Sequence, residues 1–188
     1  MIPEGLYIRK EIKSLAKELS GSPGGLTLIA NQDSRASRLP SSQGNITLLL
    51  RDFGNGWCHL KMSGDEEGTS RIMEFVTGSK SIEKVLVWDI DLDENTYSYS
   101  LFQKGALEEQ FSLGGPALDA VSFTSTIRKV EPRDLINSLD FCLRSIQNLG
   151  INIEERPTLH GEEITLDFSL PPPPSFWKRL LGSLSGEE

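Results

Sequence analysis

Three aspartates stand at alternate positions in the stretch VWDIDLD: Asp89, Asp91 and Asp93. Carboxylates in such a row can ligate a cation, share protons in catalysis, or form the wet face of a β-strand. A calcium loop of the EF-hand type needs glycine at its sixth position and glutamate at its twelfth. Counted from Asp89, those positions hold Glu94 and Ser100, so the motif fails. An Asp-x-Asp pair working on phosphoryl or glycosyl groups would want a phosphate-cradling loop or basic residues nearby, and none stands out. Strand periodicity instead places Leu86, Trp88, Ile90 and Leu92 on one face and Val87 with the three aspartates on the other. The row therefore reads as an acidic contact face, with no metal and no catalytic assignment.

Other reactive side chains are few. Cys58 and His59 are adjacent and, on a strand, point to opposite faces, so they do not form a nucleophile and base. Cys142 falls on the apolar stripe of a helical pattern and reads as core. His160 precedes Gly161 in an expected turn. No G-x-S-x-G, H-E-x-x-H or phosphate-loop pattern occurs. The residues give no ground for calling the chain an enzyme, and no cofactor is expected.

A second candidate lies at the end of the chain, in PPPPSFWKRLLGSLSGEE. The four prolines form a stiff spacer of about 12 Å at ~3.1 Å per residue. Behind them Phe176, Leu180 and Leu184 recur every four residues, with Trp177 and Leu181 alongside and Lys178 and Arg179 opposite. Ser175 is a suitable N-cap. A helix so short gains little by itself, and burying its five large apolar side chains would favour docking. The receiver is the chain's own domain, a groove on a protein partner, or a membrane surface touched peripherally.

The elements that must position these residues can be read from hydrophobic period and turn chemistry. Ile8, Ile12, Leu15 and Leu19 predict a helix ending at Gly21. GGLTLIANQ reads as a short buried strand, and residues 31 to 45 as a polar loop. ITLLLRDFGNGWCHLKM predicts a hairpin turning at Gly54-Asn55-Gly56. Ile72, Met73, Phe75 and Val76 mark a helix closed by Gly78. KVLVWDIDL, TYSYSLF and ALEEQFSL predict a meander through Glu94-Asn95 and Lys104-Gly105, and AVSFTSTI another strand. Pro132 and Gly150 bracket a helix with Leu135, Leu139, Cys142, Leu143, Ile146 and Leu149 inward. INIEER and EITLDFSL read as a closing pair of strands. Together these predict an α+β fold, a mainly antiparallel sheet with helices packed on one face. The expected division is a single domain over residues 1–170, a spacer at 171–174 and the tail at 175–188.

The bulk numbers narrow the function. Hydrophobic residues make up 37% of 188, enough for a core that needs no disulfides or structural metal. The net charge of -8 argues against nucleic-acid binding and against docking the whole body on anionic lipid, and it favours a basic protein partner. Two cysteines without a C-x-x-C spacing, no leader-like start and no stretch of ~20 apolar residues point to a cytoplasmic protein with reduced thiols.

The meander segment WDIDLDENTYSYSLFQKGALEEQFSL, residues 88–113, resembles a hairpin found in uncharacterised bacterial proteins and in immunity proteins of polymorphic toxin systems. The residues carrying the likeness are Asp89, Asp91, Tyr97, Tyr99, Leu101, Gly105, Leu107 and Phe111. Gly114-Gly115-Pro116 stands where such proteins have proline and aromatic residues. The resemblance implies a bacterial, non-catalytic binding protein and brings no site residue with it. The expected function is an interaction module, an immunity-like binder of a basic partner. The alternatives are a small acidic secretion-type chaperone and a metal-dependent hydrolase using the aspartate row.

Overall fold

The computed structural model describes residues 5–33, 45–91, 96–114, 121–130, 138–151 and 162–171. Among the described residues nine strands form one sheet: β1 (Gly5–Arg9), β2 (Thr27–Asp33), β3 (Asn45–Gly54), β4 (Trp57–Gly64), β5 (Lys84–Asp91), β6 (Thr96–Gln103), β7 (Ala106–Leu113), β8 (Val121–Ser125) and β9 (Glu163–Ser169). Three α-helices accompany them among the described residues: α1 (Ile12–Leu19), α2 (Glu66–Gly78) and α3 (Ser138–Asn148). The strand order is β2-β9-β3-β4-β1-β5-β6-β7-β8, and every pairing is antiparallel. The fold is α+β, built on a mainly antiparallel sheet.

Local chemistry accounts for the best-formed elements. The β3–β4 turn has Asn55 and Gly56 both at positive φ, 53° and 77°, the backbone that a tight hairpin of right-handed twist requires. Lys104 and Gly105 repeat it between β6 and β7, at 49° and 82°. Asp65 caps α2, its carboxylate accepting from the backbone N–H of Glu67 at 3.0 Å and Gly68 at 3.2 Å. Glu66 and Glu67 then place negative charge in the first turn, where the helix dipole favours it.

Three corrections to the sequence reading follow from the sheet. The predicted first helix is a strand and a helix: Ile8 belongs to β1, between β4 and β5, and only Ile12, Leu15 and Leu19 lie on α1. The four-residue step from Ile8 to Ile12 is accidental. The contiguous run Leu6-Tyr7-Ile8, all buried, is the mark of a central strand covered on both sides.

The helices also do not share one face. Leu6 and Ile8 join a core with Ile12, Leu15, Leu19, Ile72 and Val76 of α1 and α2, against Leu48, Leu50, Leu60, Leu166 and Phe168. Tyr7, between them in sequence, points the other way. It joins a second core in which Trp57, Leu86, Trp88, Tyr99 and Phe111 meet Phe141, Cys142 and Ile146 of α3. In the β9-β3-β4 half the sheet is covered by α1 and α2, and in the β5-to-β8 half α3 covers the opposite face. Each half is left with one polar face.

β2 was expected to be a buried strand, but it is an edge strand, with Ile29 at a break in its register with β9 and 55% exposed. Among the described residues no helix is long and apolar enough to cross a membrane.

Candidate interaction face

The two polar faces differ in chemistry. On the β9–β3 side, Thr47 donates to Asp167 at 2.6 Å and Arg51 donates to Glu163 at 2.6 Å, so polar groups are matched across the strands. The β5-to-β8 side is built otherwise. Register aligns Asp89 with Ser98, Ser98 with Ser112, and Ser112 with Ser122, forming one transverse row across four strands. The adjoining row runs Val87, Ser100, Gln110, Thr124, and Asp91 stands opposite Thr96. Asp89, Asp91, Gln110, Ser122 and Thr124 are exposed, while the serines of β6 and β7 are half-buried between their neighbours. These rows hold aspartate, small hydroxyls, one glutamine and Val87, and no basic residue.

The period of two that makes this face is the same one that buries Trp88, Tyr99 and Phe111 on the reverse. Val87 departs from the expected wet face, since it packs on the first core. Asp93 and the whole tail, with Phe176, Trp177, Leu180, Leu181 and Leu184, lie outside the described residues, as does His160. Among the described residues no three His, Cys, Asp or Glu side chains are grouped so as to hold a metal ion.

Behind the polar face lies a polar cluster that the sequence reading missed. Glu109 is 4% exposed, and its carboxylate is gripped by Arg128, Nε to Oε2 at 2.7 Å and Nη2 to Oε1 at 2.6 Å. Tyr99 donates to Oε1 at 2.5 Å and Ser125 to Oε2 at 3.0 Å. Arg128 also donates to Ser145 of α3 at 2.7 Å, and its guanidinium lies 4.9 Å from the Phe141 ring centre. Burial pushes the Glu109 carboxyl up, but the hydrogen bonds from Arg128 and Tyr99 outweigh it and hold the pKa below the usual carboxylate value. Burial and the bond to Glu109 push the Tyr99 hydroxyl up. A carboxylate offers about four acceptor sites, and these four bonds occupy them, leaving no lone pair for a substrate proton. The cluster is a clasp joining β6, β7, the end of β8 and α3. Its signal in the sequence was Glu109 itself, an acid two residues before the buried Phe111 on the inward period of a strand.

The cysteines and His59 are closed off. Cys58 donates from Sγ to the Lys10 carbonyl at 2.9 Å within the first core, and the His59 ring packs tilted against Tyr7, centres 4.9 Å apart, on the opposite face, as strand alternation requires. Desolvation pushes both thiols, Cys58 and Cys142, up to about 12.

Compared with known proteins, the chain matches no family model, no curated protein and no solved structure.

Proposed function

We propose that this chain is a non-catalytic interaction module that receives a basic protein partner on the polar face of β5 to β8. The observation that carries the reading is the registered pair of rows, with exposed Asp89 and Asp91 at one side and mostly short hydroxyl side chains, with Gln110, across the rest. Serine stands low on a sheet, so a partner can approach the backbone closely and still find hydroxyls to bond. The aspartates and the net charge of -8 set a negative potential that steers a cationic partner toward it. The saturated state of Glu109 and the raised thiols support a non-catalytic role. Two buried free thiols accord with the reducing cytoplasm as its location. The immunity-like resemblance of residues 88–113 falls on this same surface, and the tail is a second contact element of the same module.

The test is affinity capture on the immobilised full chain, compared with Asp89→Lys/Asp91→Lys, at low and high salt. Recovery of basic partners should fall sharply in the variant and in high salt, because the contact lies at an exposed, screened surface. Equal recovery by both chains would overturn the assignment of this face.

A further inference from the structure

Among the described residues the sheet ends at β2 and β8, and these two edges are built differently. At one, β2 carries the register break at Ile29, and a bulge of this kind spoils an edge as a template for another strand. At the other, β8 reads Val-Ser-Phe-Thr-Ser, without charge, proline or register break, and pairs only with β7 among the described residues. Of the four exposed large hydrophobics among the described residues, Ile29 marks the bulge, while Leu107, Val121 and Ile127 all lie on or beside β7 and β8.

Hydrogen-bond direction gives the edge a definite pattern. The N–H of Thr126 donates to the Glu108 carbonyl at 2.8 Å, which makes 126 and 108 a bonded pair. Bonded and non-bonded pairs alternate in an antiparallel ladder, so Ser122 and Thr124 bond to β7. The backbone groups of Val121, Phe123 and Ser125 therefore point outward. Set antiparallel against its own copy with Phe123 on the twofold axis, β8 matches Phe123 to Phe123 and Val121 to Ser125, each as a bonded pair. All three outward residues of each copy are then used, and none is left over.

We propose that the β8 edge pairs with the β8 edge of a second copy of this chain, joining two sheets into one. This inference stands on the edge geometry and does not rest on the functional reading above. Chains of charge -8 repel one another, and an uncharged strand followed by the exposed Lys129 is where two copies can meet with least opposition. The pairing brings Val121 beside Phe123 of the other copy and sets Ser122 opposite its Thr124, so the polar rows run on across the junction. A five-residue strand contact lies below the roughly 1,200 Å² of standard interfaces, so the dimer forms at micromolar concentration or above.

Sedimentation of the full chain over a wide concentration range tests this. The weight-average mass should rise from 20.8 kDa towards twice that value. Val121→Pro removes an outward N–H at the first position of an edge strand, where proline is tolerated, and should hold the chain as monomer. Ser122→Lys with Thr124→Lys places like charges opposite one another across the axis and should weaken the dimer roughly tenfold. Ser122→Lys with Thr124→Glu places opposite charges there and should restore it, a result that depends on register and guards against a folding defect in the proline variant. A monomer at every concentration would overturn the proposal, as would a dimer indifferent to all three variants.

Discussion

Glu109 sits at an inward position of β7 because Arg128, Tyr99 and Ser125 together replace the water it gives up. Removing one partner of such a pair strands the other, and the cost exceeds what the pair contributes when intact. Since the Arg128 side chain is 34% exposed, the penalty for Glu109→Gln is set at about 2–3 kcal/mol, below that of a fully buried pair. Urea unfolding should show it as a lower midpoint at unchanged slope. The pH dependence has a definite sign. The folded carboxyl titrates below its ordinary value of 4.5, so its stabilisation is complete above that pH and is lost as pH falls through the lower folded value. Melting temperature should therefore drop in the wild type on acidification below about 4.5, and drop less in Glu109→Gln. The thiols give a second check at this scale. Cys58 and Cys142 are 1% and 0% exposed, so a disulfide reagent at mildly alkaline pH should leave both unmodified in the native chain and modify both in denaturant.

Among the elements, the two tight turns separate strain from crowding. Gly56 has φ of 77° and open space where a Cβ would stand, whereas Gly105, at 82°, would place a Cβ 2.5 Å from the Gly78 carbonyl oxygen. Gly56→Ala should cost about 1 kcal/mol, the backbone penalty alone. Gly105→Ala should cost more, about 2–3 kcal/mol, because the end of α2 must also move. Equal losses for the two in thermal melts would show that the close approach between the β6–β7 turn and α2 is loose. That approach ties the helix on one face to the meander, whose own helix lies on the other.

At the scale of the whole molecule, the sheet carries its helices on opposite faces of its two halves, so the face opposite α3 is polar around the Asp89 and Asp91 ends of β5 to β8, beyond Val85, Val87 and Phe102, which pack on the first core. β9, the last described strand, lies in the other half of the sheet, and the tail comes after it in the sequence. The sequence predicts a proline spacer at 171–174 and an amphipathic contact segment at 175–188, both beyond the described residues apart from Pro171. Ending the chain at Pro171 should leave the melting temperature within about 2 °C of the full chain, since no described core residue lies beyond it. Partner capture should weaken, and Phe176→Ala, Trp177→Ala and Leu180→Ala together should reproduce that loss, as aromatic anchors dominate small interfaces. A fall of many degrees on truncation would show that the tail is packed into the core.

Much of the local structure was legible because it is decided by neighbours in the chain. The hairpin around Gly54-Asn55-Gly56, the three meander strands and α2 follow from apolar period and from residues that tolerate positive φ, and each was read at nearly its observed bounds. The outward direction of Asp89 and Asp91 needed only the period of two. Strand order was not legible in this way. Nothing local says that β9 inserts between β2 and β3, or that Leu6-Tyr7-Ile8 is a central strand and no part of the following helix, because pairing between distant strands is selected by long-range burial. The same holds for the faces. An alternating strand specifies two sides, but which side a helix covers depends on where the chain returns, and here it returns on opposite sides of the two halves. Glu109 and Arg128 are nineteen residues apart, and only the joining of β7, β8 and α3 brings them together.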